Sequence, residues 1–151
     1  MADVIVRPPE ASDEQEWRAL WQGFQIHFGG AIPAQASAQT WRLLLDESAP
    51  LNGLVAITGG RACGLVHYSF TPFAWTATPV CFLQDLYVDE SARGLGAGRA
   101  LVQGVYDASQ AAGAANVFWL ADVKDDRLLQ FYRTIALETP YVRFMQKAWA
   151  W

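Results

Sequence analysis

The stretch VCFLQDLYVDESARGLGAGRALVQGVYDASQAAG, residues 80–113, decides how this chain folds. It begins with an apolar run, residues 80–88, that is typical of a buried strand, and passes through a turn that contains Gly94, Gly96 and Gly98. The helix that follows carries an apolar stripe at Leu101, Val105, Ala108 and Ala112. Glycines on alternate positions at a helix start leave backbone N–H groups unshielded, so this turn is suited to bind a pyrophosphate.

Upstream of this stretch the sequence predicts two helices and an antiparallel meander. Residues 4–7 form a first strand, and residues 51–58 and 61–70 form a hairpin around Gly59-Gly60. Ser12 is predicted to cap a first helix, in a capping box with Gln15, and this helix stops at Gly29-Gly30. Ser37 is predicted to cap a second helix that runs to about residue 45.

Downstream of residue 113 the pattern alternates between strand and helix. Residues 116–121 are almost continuously apolar, which predicts a strand covered on both faces near the centre of the sheet. Residues 128–135 have helical spacing, and residues 141–145 read as a last strand. With no linker or repeat, residues 1–151 are predicted to form a single α+β domain, a mixed sheet with helices on both faces.

Composition limits the class of partner. The formal net charge of −4 disfavours nucleic acid and anionic membrane surfaces as partners and suits a cationic substrate. The sequence shows neither a membrane span nor a signal peptide, so we expect a cytoplasmic protein. Two cysteines, expected to be buried, and two histidines supply no ligand cluster, so we expect no metal.

Three phosphate-binding devices are compatible with a glycine-rich turn at a helix start. A P-loop requires lysine and then serine or threonine, but Arg99 and Ala100 follow the last glycine. A dinucleotide fingerprint requires its third glycine where Arg99 stands, and it normally opens its domain. A nicotinamide enzyme therefore remains only a minor alternative.

The third pattern, Arg-Gly-x-Gly-x-Gly after a strand that ends Leu-Tyr-Val-Asp, resembles the acetyl-CoA segment of the GNAT superfamily of N-acetyltransferases. Residues 82–88 are similar to the family's fourth strand, residues 4–8 to its first, and Phe131-Tyr132 to its second motif. Leu83-Gln84-Asp85 look closest to the diamine acetyltransferases of the spermidine/spermine type. The resemblance implies a mostly antiparallel mixed sheet of six to seven strands.

The resemblance also implies the reaction and its cofactor residues. It implies acetyl transfer from acetyl-CoA to a primary amine of a small molecule, by direct attack in a ternary complex, in a homodimer that needs no metal. Tyr132 is the expected general acid, although a buried tyrosine satisfied by one hydrogen bond is the alternative. The expected cofactor-binding residues are Leu86, Tyr87, Val88, Arg93, Gly94, Leu95, Gly96, Ala97, Gly98, Arg99 and Asp125.

The sequence leaves the general base and the acceptor pocket open. Gln84 stands where the diamine relatives carry glutamate, and strand alternation predicts that Asp85 points to the opposite face. The remaining candidates for the base are Asp122, Asp125 and His67, and those for the pocket wall are Trp21, Phe24 and Trp75. Two other functions are compatible with the sequence, a non-catalytic CoA-binding sensor and a protein or peptide N-acetyltransferase.

Overall fold

The computed structural model of the protein describes residues 3–147, which divide after Trp119 into two units. In chain order the helices and strands are β1 (Ile5–Arg7), α1 (Glu14–Phe28), α2 (Ala34–Leu44), β2 (Leu51–Thr58), β3 (Arg61–Thr71), β4 (Val80–Val88), α3 (Ala97–Ala111), β5 (Val117–Phe118) and, in the second unit, α4 (Asp126–Arg133). None of the helices between residues 3 and 147 is long and apolar enough to cross a membrane.

The first unit is built on one mixed sheet in the strand order β1-β2-β3-β4-β5. Neighbours from β1 to β4 are antiparallel, and β5 joins β4 in parallel through Cys81↔Val117 and Phe82↔Phe118. Five strands over residues 3–147 replace the predicted six to seven. The mixed, mostly antiparallel α+β character is confirmed.

Two predicted strands fail at the C-terminal side. The expected central strand at 116–121 shrinks to the two residues of β5, which occupy one edge of the sheet. The apolar character of residues 116–121 comes in part from Phe118, which is 45% exposed and stacks on Phe82 at a distance of 5.1 Å between ring centroids. The expected strand at 141–145 is irregular, and Tyr141 and Phe144 are exposed. A run of residues with high β propensity forms a strand only where another strand can pair with it and where one of its faces can be buried.

The predicted hairpin is confirmed. Gly59 and Gly60 have φ angles of 57° and 78°, the left-handed pair that a two-residue hairpin turn requires. The strands on either side pair from Thr58↔Arg61 outward. The predicted bounds of β4, residues 80–88, are also confirmed.

The helix starts differ from those predicted, although Gly29, at φ 68°, does end α1 as expected. A 3₁₀ turn precedes α1, and there the Asp13 carboxylate accepts from the Glu10 amide at 2.7 Å, so the cap predicted at Ser12 is wrong. Helix α2 begins after Pro33, and Ser37 lies buried inside it, where its Oγ accepts from Trp21 Nε1 at 3.0 Å. Sequence offers several cap residues in each segment, and tertiary contacts select among them.

Helices cover both faces of the sheet, as predicted. On one face α1 and α2 enclose a core of Trp17, Leu20, Trp21, Trp41, Leu44 and Leu65. On the other face α3 packs against β1 to β4 through Leu101, Val102 and Val105, which are at most 1% exposed. Cys63 and Cys81 are buried as expected, they form no disulfide with each other, and burial raises the pKa of both thiols.

Candidate functional site

The glycine turn lies where β4 meets α3. Gly94 and Gly96 have φ angles of 82° and 86°, a left-handed conformation that strains any residue with a side chain. A Cβ added to either glycine would meet no atom of residues 3–147 within 4 Å. Glycine is therefore required here by backbone conformation, and the outer side of the turn is open to a ligand.

The start of α3 supplies donors to this turn. The helix begins at Ala97, which is 1% exposed, and the amides of a first helical turn have no carbonyl partner within their own helix. The macrodipole adds partial positive charge at the same end. Arg93 and Arg99 are exposed on either side of the turn, and Arg93 Nε donates to the Val88 carbonyl at 3.3 Å. The geometry thus fits a diphosphate.

An open strand edge leads away from the turn. Leu86, Tyr87 and Val88 pair with β3 on one side. On the other side β4 pairs with β5 only at Cys81 and Phe82, so within residues 3–147 the rest of that edge has no ladder partner. Such an edge can accept an extended ligand through main-chain hydrogen bonds. The cofactor residues predicted from 86 to 99 therefore form one continuous surface in the first unit.

A β-bulge at Gln84 changes the direction of the polar residues in β4. His67 pairs with Asp85 and Tyr68 with Leu83, so Gln84 is an extra residue in the ladder. Gln84 Nε2 donates to Ser69 Oγ at 3.0 Å, while Asp85 Oδ2 lies 3.0 Å from His67 Nδ1. His67 and Ser69 are two apart on β3 and share one face. The expectation that Asp85 points away from Gln84 is therefore wrong, because alternation fails at a bulge.

His67 is a structural residue within this site. The residue is buried, and its ring packs between Trp17 and Trp21. Trp17 Nε1 donates to His67 Nε2 at 3.2 Å, and Nδ1 faces Asp85. Both ring nitrogens are thus engaged inside the protein, which excludes His67 as the base that contacts an amine. Sequence reasoning missed this series of hydrogen bonds, because Trp17 is 50 residues from His67 and shares no motif with it.

The aromatic residues predicted to wall an acceptor pocket fall into three environments. Trp21 is 6% exposed and belongs to the core. Phe24 is half-buried and stacks on Trp21 at 4.8 Å, so one of its faces lies at the boundary of that core. Trp75 is 86% exposed in the loop before β4, against Phe73. Only Phe24 lies at the edge of a buried aromatic row, and it is the strongest of the three candidates for a pocket wall.

The remaining predicted residues lie in the second unit. Asp125 caps α4, accepting from the Leu128 amide at 3.0 Å, and Asp122 accepts from the Lys124 amide at 2.9 Å. Burial, and then the charge of Asp125, raises the pKa of Tyr132 to about 12. Its phenol therefore stays protonated at neutral pH, as a hydrogen-bond donor must. Nowhere in residues 3–147 do three His, Cys, Asp or Glu side chains converge in a way that could hold a metal ion.

Comparison with known proteins identifies the family. A model of the acetyltransferase (GNAT) family matches residues 14–136. The chain belongs to this family and is an acetyltransferase. Over 148 residues, 97% of this chain and 92% of the relative, it is 29% identical to the D-amino-acid N-acetyltransferase HPA3 of Saccharomyces cerevisiae.

Solved structures share the fold. The aminoglycoside acetyltransferase meta-AAC0020 from an uncultured soil metagenomic sample has a TM-score of 0.79 at 23% identity, with 95% of each chain covered. The aminoglycoside N-acetyltransferase AAC(6')-Iy in complex with CoA has a TM-score of 0.81 at 20% identity, with 98% of this chain and 97% of that chain covered. At these identities the likeness shows the fold alone.

Proposed function

We propose that this acetyltransferase moves an acetyl group from acetyl-CoA to a primary amine of a small molecule, by direct attack within a ternary complex. The observation that carries the proposal is the open turn at Gly94 and Gly96, continuous with the unpaired edge at 86–88. The turn suits a diphosphate, and the edge suits the pantetheine arm. The solved structure of AAC(6')-Iy in complex with CoA supports the cofactor on the level of the fold.

In this proposal main-chain groups hold most of the cofactor. The amides from Gly94 to Gly98, together with the Arg93 and Arg99 guanidinium groups, bind the diphosphate, whereas the Arg93 amide already donates to the Glu90 carbonyl. Leu86 to Val88 pair with the arm. Asp125 stays in the proposed set because of the family resemblance, although its carboxylate also caps α4. Bound acetyl-CoA supplies the activated acyl group as a thioester.

The acceptor must lose a proton before it attacks. An amine with a pKa near 10.4 leaves roughly one molecule in two thousand neutral at pH 7, a cost of about 5 kcal/mol. A β4 amide near Tyr87 or Val88 is the proposed donor to the carbonyl oxygen. With His67 excluded, a carboxylate or a water chain must receive the proton from the amine.

Tyr132 is the proposed donor to the departing sulfur. A phenol of pKa about 12 opposite a thiol near 8.5 makes full proton transfer unfavourable by about 5 kcal/mol. Tyr132 therefore acts in this proposal by donating a hydrogen bond to the developing negative charge rather than by releasing its proton early. This role predicts a modest contribution to the rate.

The acceptor class follows from charge and from the relatives. A net charge of −4 suits a cationic amine, and the named relatives act on D-amino acids and aminoglycosides. Diamines, the acceptors suggested by Leu83-Gln84-Asp85, are also amines of small molecules, and they remain part of the proposal. We also propose a cytoplasmic homodimer consisting of single-domain chains, as the family resemblance implies.

A thiol-release assay tests the function. The full chain is offered acetyl-CoA with polyamines, D- and L-amino acids, aminoglycosides and an N-terminal peptide, and free thiol is recorded. Release with a small amine supports the proposal, and release with the peptide alone would favour a protein acetyltransferase. Binding of CoA by calorimetry without release from any amine would favour a sensor. Stabilisation by NAD but not by CoA would reject the whole proposal.

A further inference from the structure

We infer that Trp17 and His67 are positioning residues that hold Asp85 as the anionic contact for the ammonium group of the acceptor. This inference rests on the proposed function and names a residue for its acceptor side. It depends on three contacts within the first unit: Trp17 to His67 at 3.2 Å, His67 to Asp85 at 3.0 Å, and the neighbouring Gln84 to Ser69 at 3.0 Å.

The hydrogen-bond chain determines the tautomer of His67. An indole N–H only donates, so His67 Nε2 must accept from Trp17 and carries no proton. A neutral imidazole then has its proton on Nδ1, which donates to Asp85 Oδ2. The direction of every hydrogen bond in the chain follows from the single fact that indole has no acceptor.

This tautomer leaves the charge of Asp85 available. A neutral imidazole orients the carboxylate without neutralising it, whereas a protonated one would form an ion pair. A carboxylate has about four lone-pair sites, and His67 occupies one of them. An ammonium group that approaches Asp85 therefore meets a carboxylate that is negatively charged and fixed in orientation.

Asp85 is also accessible from outside the core. Its side chain is 22% exposed, whereas that of His67 is 2% exposed, so the pair runs from the core to the surface. The bulge places Asp85 on the face that carries α1, beside Gln84 and next to Leu86, where the proposed cofactor edge begins. A ligand amine at Asp85 thus lies beside the strand that would hold the thioester.

The tautomer is tested directly by ¹⁵N NMR of histidine-labelled protein. The protein has only two histidines, His67 and the exposed His27. The signals that remain in the His27→Gln variant therefore belong to His67. We expect a protonated Nδ1 and an unprotonated Nε2 in His67, and loss of this preference in Trp17→Phe. A wild-type His67 with its proton on Nε2, or on both nitrogens, would overturn the inference.

Kinetics test the role of Asp85. We expect Asp85→Asn to raise the KM for the amine about 30-fold, corresponding to about 2 kcal/mol, because a charged contact is lost. His67→Leu should raise it about tenfold, and the double variant no more than Asp85→Asn alone. The KM for acetyl-CoA should change less than twofold in all three variants.

A matched pair separates positioning from structural support. His67→Asn places an amide donor near the position of Nδ1, while His67→Gln places it near that of Nε2. We expect His67→Asn to recover most of the affinity for the amine and His67→Gln to recover little. Equal behaviour of the two variants, or additive losses for His67→Leu and Asp85→Asn, would overturn the inference.

The outcomes distinguish this inference from the proposed function. Absence of thiol release from the wild-type protein with every amine would refute the proposed function. An active wild-type protein whose Asp85→Asn variant keeps its KM for the amine would refute only the acceptor contact. Because the NMR measurement needs no turnover, it decides the hydrogen-bond chain in either case.

Discussion

Replacing Gly96 with alanine tests the glycine turn most directly. Gly96 precedes α3 with φ 86°, and a Cβ there would project away from the described atoms, so the substitution acts through backbone strain rather than through a clash. Gly29 offers a matched control, since it has φ 68°, ends α1 and also has open space around its Cβ position. The two variants share the strain and differ in their distance from the start of α3.

The expected magnitudes follow from these two backbone conformations. Alanine in the left-handed region costs about 1–2 kcal/mol, offset by about 0.4–1 kcal/mol because the unfolded chain is less free. Each variant should therefore lose about 1 kcal/mol of stability, which lowers Tm by about 2–4 °C. Relief of the strain in Gly96→Ala would turn amides away from the ligand, and loss of one hydrogen bond to a phosphate weakens CoA binding roughly tenfold to 100-fold.

Calorimetry with CoA and thermal unfolding, both on the full chain, provide the two measurements. Gly96→Ala should lose both stability and affinity for CoA, and Gly29→Ala should lose stability alone. The reasoning fails if Gly96→Ala is destabilised like Gly29→Ala and yet binds CoA as tightly as the wild-type protein. That result would show that the amides of this turn do not contact the diphosphate.

Three further predictions concern stability and catalysis. Asp13→Asn should lower the free energy of unfolding by about 2 kcal/mol, since Asp13 accepts from Arg7 at 2.7 and 2.9 Å. The hydrogen bond from Arg7 lowers the pKa of Asp13 in the folded state relative to the unfolded state. The stabilisation is therefore complete above the pKa of Asp13 in the unfolded state, and it is lost as the pH falls through its pKa in the folded state. Acid unfolding curves measure this loss. Tyr132→Phe should lower turnover where chemistry limits the rate, and the wild-type profile should show no loss from this group below about pH 11, because its folded pKa is about 12. Gly23→Ala should destabilise the protein, since the new Cβ would lie 2.5 Å from Tyr87 Oη, and adding Tyr87→Phe should restore part of the Tm.

The elements that the sequence predicts well are those in which local chemistry decides. Gly59-Gly60 determines the hairpin because two successive left-handed residues are otherwise costly, and Gly29 ends α1 for the same reason. The turn at Gly94 and Gly96 is evident from its glycines alone. In each case a single backbone requirement excludes the other residue types.

The errors arise where a distant partner decides. The run at 116–121 is apolar enough for a central strand, but its position in the sheet depends on pairing with β4, which extends over only two residues. The bulge at Gln84 changes no residue type and leaves no local signal. The sequence alone allows His67 to be either a base or a structural residue, and only its contact with Trp17 decides between these two interpretations.

The bulge also allows β4 to change its length without changing which residues face each helix layer. Leu83 faces the layer of α3, while Gln84 and Asp85 both face the layer of α1, so removal of Gln84 would leave the remaining residues in regular alternation, each still on its present side. A deletion elsewhere in the strand that kept the bulge would exchange the two layers for every residue beyond it. Position 84 is therefore where this strand can lose a residue and keep both of its packed surfaces.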